Sequence, residues 1–431
     1  MPETRTVGAQ HAAPLQHIRV IDLTISWAGP KVTQVLADLG AEVIKVESIQ
    51  WMDAQRGRSH PAKGMPHYPD RDPGARPWNR YHAFNQINRN KLGSTLDLGR
   101  PEGRRLFLEL VKTGDVVVDC FSAPVMDKFD LGYERLREVR ADIIAMSMPG
   151  FGRSGPYRNY LCWGSMVECV GGQAAVRGYP DGDPFMPLAY GDPIGGLTGA
   201  FAVMAALHHR ERTGQGQLID FAQLESFTPL SAEVLMDFAM NGRVHQPMGN
   251  HHPAMAPHNV YQCAGDDRWV CIAVTSDSEW QALCQAIGRP ELAQDQRYAD
   301  ILARKRHEDE IDRVLGDWCL SRDPMEATRT LQAAGVPSGP VMEPRHLYAD
   351  PQLKARGLFK ELHHADAGRH PYAGPTWQPS RTPMPIRRPA PGLGEHNAFV
   401  FAHLLGLPPG VISAMEADKL IGQEPLEGAE S

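Results

Sequence analysis

A single carboxylate set between a glycine and a proline, Gly191-Asp192-Pro193, is the position in this sequence best suited to chemistry. It stands in Pro187-Leu-Ala-Tyr-Gly-Asp-Pro-Ile-Gly-Gly196, at the expected mouth of a helix running through Leu197 to His209. Asp then Pro reads as an N-cap followed by the first helical residue, because Asp accepts orphan amide protons and Pro has no amide to leave unpaired. The positive end of a helix favours an ionised carboxylate, and Gly191 lets a bulky group approach it. The residues alone fit a nucleophilic carboxylate, but taken in isolation they favour an ordinary helix cap.

Other arrangements with chemical potential lack their parts. Histidines are paired at 208–209, 251–252 and 363–364, but neighbouring residues on a helix or strand point in different directions, which is poor metal-ligand spacing, and no metal is expected. There is no Gly-x-Ser-x-Gly elbow and no P-loop lysine. Gly150-Phe-Gly-Arg-Ser-Gly155 has the spacing of a dinucleotide fingerprint. However, Pro156 interrupts the helix that should open there, and no acidic residue follows on a clear second strand.

The whole chain limits the classes of function. Its 431 residues exceed one ordinary core. A formal charge of −7, without a basic stripe, argues against nucleic acid. No apolar run is long enough to span a membrane, and residues 1–16 read as a loose polar leader without a secretory h-region. The seven cysteines include no Cys-x-x-Cys pair and read as reduced core thiols. A cytoplasmic protein acting on a small molecule is expected.

The elements that would position Asp192 follow from apolar patterning. Strands are expected at 18–23, 41–46, 116–121, 141–147 and 216–221, and helices at 30–39, 101–111 and 162–176. The polar stretch 48–82 reads as a surface loop. Alternating apolar strands and helices predict a doubly wound α/β domain, whose ligands sit beyond the carboxyl ends of the strands. That directs attention to Ile25–Ala28, Cys120–Ser122 and Pro149–Gly155. A helix at 229–240 leads to a smaller α+β domain, with a strand at 269–274 and helices at 278–287, 303–320 and 324–334. The predicted division is 1–228 for the N-terminal part of the large domain, 229–335 for linker and small domain, and 336–431 for the C-terminal part of the large domain.

A series of short motifs runs along this frame. It comprises Asp22-Leu-Thr, Ala28-Gly-Pro30, Leu36-Ala-Asp-Leu-Gly-Ala-Glu-Val-Ile-Lys-Val-Glu47, Asn90-Lys91, Leu96-Asp97 and Pro101-Glu-Gly103. After Asp192 come Arg212-Thr-Gly-Gln-Gly-Gln217, Gly249-Asn-His-His-Pro253, Gly335-Val-Pro-Ser-Gly-Pro-Val341, Asp350-Pro351 and Leu393-Gly-Glu-His396. In this order, over about 17–410, the chain resembles the class III CoA-transferases, the family of formyl-CoA:oxalate and crotonobetainyl-CoA:carnitine CoA-transferases.

The resemblance implies a discontinuous Rossmann-like large domain, a small domain, and two copies interlocked as linked rings in a homodimer. It implies Asp192 as the nucleophile that attacks an acyl-CoA thioester, forming first a mixed anhydride and then an aspartyl-CoA thioester. Ile25, Ser26, Trp27 and Ala28 would lie against the pantetheine and thioester. Leu96, Cys120, Phe121, Ser122 and Val125 would line the CoA groove, and Lys128 would meet a phosphate. Trp27, Trp163, Gly249, Asn250 and His251 would border the acyl or acceptor acid. Coenzyme A enters as a thioester substrate, and no permanently bound cofactor is implied.

The departures from the family pattern bear on substrate. Trp27 and Trp163 stand where the formyl-CoA:oxalate enzymes carry Gln and Tyr. This makes oxalate a poor acceptor and points to a larger acid: a C4 dicarboxylate, an aromatic acid or a betaine acid. Ser48 replaces an arginine used for CoA phosphate, leaving Lys45 or Arg56 as substitutes. Two other readings share the resemblance. One is an α-methylacyl-CoA racemase, against which Leu161-Cys162-Trp163 offers no acid or base. The other is a non-catalytic CoA-binding subunit of a hetero-oligomeric transferase, against which Asp192 argues.

Overall fold

The computed structural model describes residues 13–186 and 188–429; the first twelve residues of the expected leader and Pro187 lie outside the described residues. The chain forms two compact units. One holds the described residues up to 173, 186–236 and 356 onward, and the other holds 174–185 and 237–355.

The first unit is built on six parallel strands: β1 (Arg19–Asp22), β2 (Glu42–Glu47), β3 (Lys91–Thr95), β4 (Val116–Asp119), β5 (Ile144–Ser147) and β6 (Leu218–Asp220). Their spatial order is β3-β2-β1-β4-β5-β6, the doubly wound arrangement whose order reverses between β1 and β4. Apolar residues fill both faces because each face is covered. Val20, Val43, Val116 and Val118 pack into one core, and Ile21, Ile44 and Val117 into the other.

Up to residue 227, the α-helices of this unit are α1 (Ala28–Asp38), α2 (His82–Ile87), α3 (Pro101–Thr113), α4 (Val125–Lys128), α5 (Tyr133–Val139), α6 (Gly164–Val170), α7 (Gln173–Val176, which crosses the unit boundary), α8 (Gly191–Thr213) and α9 (Gln223–Phe227). Helix α3 buries Leu106, Phe107, Leu110 and Val111, a helical stripe opened by Pro101. Val400, Phe401, Met415, Leu420 and Ile421 join the same core, which ties the C-terminal segment to the sheet.

Two features depart from the sequence expectations. Strand β3 was not anticipated, because Lys-Leu-Gly-Ser-Thr has no apolar alternation; it is buried because Lys91 Nζ meets Asp22 Oδ2 at 2.9 Å. Residues 48–82, expected as a surface loop, bury Met52, Asp53, Arg56 and Trp78. The cause is Arg56, whose Nε and Nη2 each donate to Glu47 at 2.7 Å and whose guanidinium sits 3.7 Å from the Phe84 ring centroid.

Helix α10 (Ala232–Asn241) runs across the unit boundary. The second unit pairs β7 (His258–Gln262), β8 (Trp269–Ala273) and β9 (Ser338–Pro340) in an antiparallel sheet. Against it pack α11 (Asp277–Ala286), α13 (Glu308–Leu320) and α14 (Pro324–Ala333), through Val270, Ile272, Leu283, Leu315 and Leu331, and α12 (Ile301–Arg306) lies beside α13. The single helix expected over 303–320 is broken at His307, which closes α12 and opens α13. The seams fall after 236 and after 355, rather than after 228 and 335, because β9 pairs with β8. No helix among the described residues is long and apolar enough to cross a membrane.

Candidate active site

A cavity of about 300 Å³ opens beyond the carboxyl ends of β1 and β4, where the strand order reverses. The loop after β1 and the start of α1 contribute Ile25, Ser26, Ala28 and Gly29, and the segment after β4 contributes Cys120, Phe121, Ser122 and Val125. Cys162, Trp163 and Gly164 at the start of α6, Asp192 at the start of α8, and Gln223 complete the lining.

Buried charges hold the first wall. Thr24 donates its amide and its hydroxyl to Asp22 Oδ1, at 2.8 and 2.5 Å, and Lys45 Nζ donates to the Thr24 carbonyl at 2.5 Å. Ser26 adopts a left-handed φ of 64°, an unfavourable conformation for a residue with a side chain. Its amide is fixed by Asp53 Oδ1 at 2.9 Å, and Asp53 is in turn paired with Lys45 at 2.9 Å, both without solvent exposure. Burial tends to lower the Lys45 ammonium, but the Asp53, Asp22 and Glu47 carboxylates outweigh it and hold Lys45 above its usual range.

The second wall is clamped to the first. The Ile25 amide donates to Cys120 Sγ at 3.1 Å, and the Cys120 thiol donates back to the Ile25 carbonyl at 3.3 Å. Burial pushes the Cys120 thiol up to about 12, so it stays protonated and serves as a structural link rather than a nucleophile. Asp119 at the end of β4 accepts the Phe121 amide at 3.2 Å, and burial raises its carboxyl to about 7.

Asp192 is the carboxylate in this cavity. It is not the helix cap its sequence suggested. Helix α8 begins one residue earlier, at Gly191, with Tyr190 as an N-cap that makes no side-chain bond, so Asp192 is the second helical residue. Its amide donates to the Ala189 carbonyl at 3.1 Å. No hydrogen bond from the described residues reaches its carboxylate. The side chain lies directly over Gly164, where an added Cβ would sit 2.6 Å from the carboxyl carbon and from both oxygens. Burial, reinforced by the negative charge of Glu168, raises its pKa to about 6.

Small residues seat α8. A Cβ on Gly196 would meet Lys31 Cβ at 2.5 Å, and one on Gly199 would meet Met146 Cε at 2.6 Å, so α8 packs against α1 and the sheet at backbone distance. Because Ala28 and Gly29 begin α1, this packing puts the N-termini of α1 and α8 on one cavity. The Ala28 and Gly29 amides at the start of α1 suit a developing negative charge, whereas the Gly191 and Asp192 amides of α8 are taken by Glu168 Oε1 and the Ala189 carbonyl.

The other candidate residues are placed as follows. Trp163 precedes α6 and lines the cavity, 60% exposed. Trp27 precedes α1, and its carbonyl accepts the Lys31 amide at 3.0 Å; it lies between lining residues without being one. Leu96 is buried in the core and donates its amide to Glu47. Lys128 is exposed at the end of α4. Lys45 and Arg56 do not serve as phosphate cations, since both are buried and already paired with carboxylates. Arg153 was not anticipated. It does not line the cavity but reaches the segment after β4, donating to the Ala123 carbonyl at 3.4 Å and pairing with Asp127 at 3.0 Å.

Gly249, Asn250 and His251 belong to the second unit, and their partners are there. Gly249 has φ 63°, and the Tyr179 ring occupies the space a Cβ would need. Asn250 Nδ2 donates to Tyr179 Oη at 3.0 Å, and His251 Nε2 lies 2.8 Å from Asp312 Oδ2.

Sequence reasoning missed Gly164 and Glu168. Glu168 carried a signal in hindsight, as the one charged residue in the apolar helix Gly-Ser-Met-Val-Glu-Cys-Val.

Residues 15–397 match the family described as CoA-transferase family III. The chain is 33% identical to the succinyl-CoA–D-citramalate CoA-transferase of Chloroflexus aurantiacus, over 95% of this chain and 98% of that one. It is 36% identical to the succinate–glutarate CoA-transferase of Agrobacterium fabrum, over 91% and 96% respectively. Among solved structures, a CAIB/BAIF family protein from Brucella suis superposes with a TM-score of 0.81 at 32% identity, covering 91% of this chain and 99% of that one. With a carboxylate in a cavity at the switch point of a doubly wound sheet, and a family match across nearly its whole length, this chain belongs to CoA-transferase family III and is an enzyme that moves CoA between an acyl-CoA and an acid.

Proposed function

We propose that the enzyme takes CoA from succinyl-CoA and gives it to a C4 or C5 dicarboxylate, with Asp192 as the covalent carrier. The observation that carries this reading is the Asp192 carboxylate itself, unpaired, seated over Gly164 and lining the cavity. The choice of acids rests on the relatives, whose names join succinate or succinyl-CoA with citramalate and glutarate.

The chemistry balances without a proton donor or a redox partner. An Asp192 oxygen attacks the thioester carbonyl carbon, and the tetrahedral adduct collapses by breaking the C–S bond. This leaves an aspartyl–succinyl anhydride and CoA thiolate. The thiolate attacks the Asp192 carbonyl carbon, releasing succinate and forming the aspartyl-CoA thioester. The acceptor carboxylate attacks that carbon and expels the thiolate, which attacks the acceptor's acyl carbon. The new acyl-CoA leaves and the Asp192 carboxylate is restored. The Ala28 and Gly29 amides at the start of α1 are suited to the oxyanion of each adduct. Trp163 supplies an apolar wall for the acid.

The active form is proposed to be an interlocked homodimer with the CoA arm along Ile25–Ala28 and Cys120–Val125. Arg153 and Lys128 are the cations proposed for its phosphates. Exposed apolar side chains support a partner surface: Leu161, Met166 and Phe201 are 82%, 48% and 74% exposed.

The test is exchange of CoA from succinyl-CoA to glutarate or citramalate. The unsubstituted enzyme is expected to form the new thioester, and Asp192→Ala to lose at least roughly 10³-fold in kcat. Equal rates in both would contradict the proposal.

A further inference from the structure

Glu168 is a buried acid that the transfer chemistry above does not use. It has no solvent exposure. Oε1 accepts the Gly191 amide at 2.7 Å, while Oε2 is buried with no hydrogen-bond partner among the described residues. Burying half a carboxylate without a partner is expensive, and such groups persist at sites that use them.

Two further observations define what it does. Helix α8 has no side-chain cap of its own, and the bond to Gly191 gives the helix one from α6. Gly164, the floor under the nucleophile, is also on α6. A single side chain therefore ties the helix that bears Asp192 to the helix on which its carboxylate rests.

We propose that Glu168 is the positioning residue of the nucleophile: it caps α8 from α6, fixing Asp192 over Gly164, and keeps a second negative charge beside Asp192 that opposes the free carboxylate and ceases to oppose it once Asp192 is acylated. Like charges that cannot both be solvated make the free carboxylate a stronger nucleophile and make its neutral anhydride and thioester relatively more stable. The other titratable or charged groups on the surrounding elements do not share this role. Cys162 precedes α6, and burial, with the Asp192 charge behind it, raises its thiol; Cys169 on α6 and Glu225 on α9 are exposed. Lys31 on α1 bonds Gln34, and Asp38 on α1 pairs with Arg89. His208, His209, Arg210, Glu211 and Arg212 lie at the opposite end of α8.

This inference rests on Asp192 being the nucleophile, and the test separates the two. Glu168→Gln keeps an acceptor for the Gly191 amide but removes the charge. In succinyl-CoA to glutarate exchange, the acid limb of kcat/KM is expected near pH 6 in the unsubstituted enzyme and at least one unit lower in Glu168→Gln. At pH 7.5, kcat is expected to fall roughly tenfold, with KM for succinyl-CoA little changed. Glu168→Met, uncharged and of similar length, should move the limb the same way, which keeps the test open if the Gln variant does not fold. An acid limb that stays in place in a folded variant overturns the proposal, even if activity drops, because a purely structural role would lower the rate without moving the limb. If Asp192→Ala is inactive while the limb does not move, only this inference fails; if Asp192→Ala is active, the reading of Asp192 fails with it.

Discussion

At neutral pH Asp192 is ionised in a place that resists ionisation, and this has a consequence for stability as well as for chemistry. Its pKa is raised by burial and by Glu168 from the ordinary 3.8 to about 6. A raised carboxyl pKa favours the folded state while the group is protonated, and that contribution is lost as pH rises through 6. Asp192→Asn removes the penalty. The variant is expected to be more stable than the unsubstituted protein by about 2 kcal/mol at pH 8, an order-of-magnitude figure discounted for partial exposure. The gain should shrink between pH 6 and pH 4, and denaturant unfolding at several pH values measures it. Asp119, whose carboxyl sits near 7, contributes equally to both proteins and cancels in the difference. A gain that does not change with pH would count against the raised pKa. This effect is not legible in the residue order. Gly-Asp-Pro marks a helix start, but the residue that satisfies the first amide is Glu168, 23 positions earlier, and no local pattern connects the two.

At the scale of elements, the site depends on how closely α6, α8 and α1 approach. Gly164 is the close approach at the nucleophile itself, because a methyl group there would lie 2.6 Å from the Asp192 carboxylate. Gly164→Ala should therefore displace the nucleophile. Because Gly164 sits at the first turn of α6, where alanine is compatible with helix, the fold should survive. Transfer is expected to fall roughly 10²-fold with little change in melting temperature, as measured by steady-state kinetics and circular dichroism. Loss of the fold together with activity, or retention of both, would contradict this. Strands β1, β2, β4 and β5 were readable because strands covered on both faces are apolar throughout. Strand β3 and the buried part of 48–82 were not. Their burial comes from pairs such as Lys91–Asp22 and Arg56–Glu47, and a charged residue gives no sign in sequence of whether its partner is water or another chain segment.

At the scale of the molecule, the strand order β3-β2-β1-β4-β5-β6 determines where a ligand can sit, and the cavity is at that switch point. The expected ligand segments Ile25–Ala28 and Cys120–Ser122 line it through Ile25, Ser26, Ala28, Cys120, Phe121 and Ser122; Pro149–Gly155 does not line it. Chain-level patterning thus located the cavity from the alternation of strands and helices, while the division between units depended on β9 pairing with β8 across 65 or more residues of sequence. The exposed apolar side chains of α6 and α8, Phe201 among them, predict a dimer. Light scattering coupled to gel filtration should give twice the 47.6 kDa chain mass, and transfer should proceed with this chain alone. A stable monomer, or activity only after a related chain is added, would contradict the homodimer.

The most direct measurement of the central claim is chemical trapping of the carrier. Incubated with succinyl-CoA and quenched with hydroxylamine, the enzyme is expected to carry a hydroxamate on the peptide containing Asp192, and Asp192→Asn is expected to carry none there. Transfer at full rate with Asp192 unmodified under trapping, or a hydroxamate at a different carboxylate, would contradict the account.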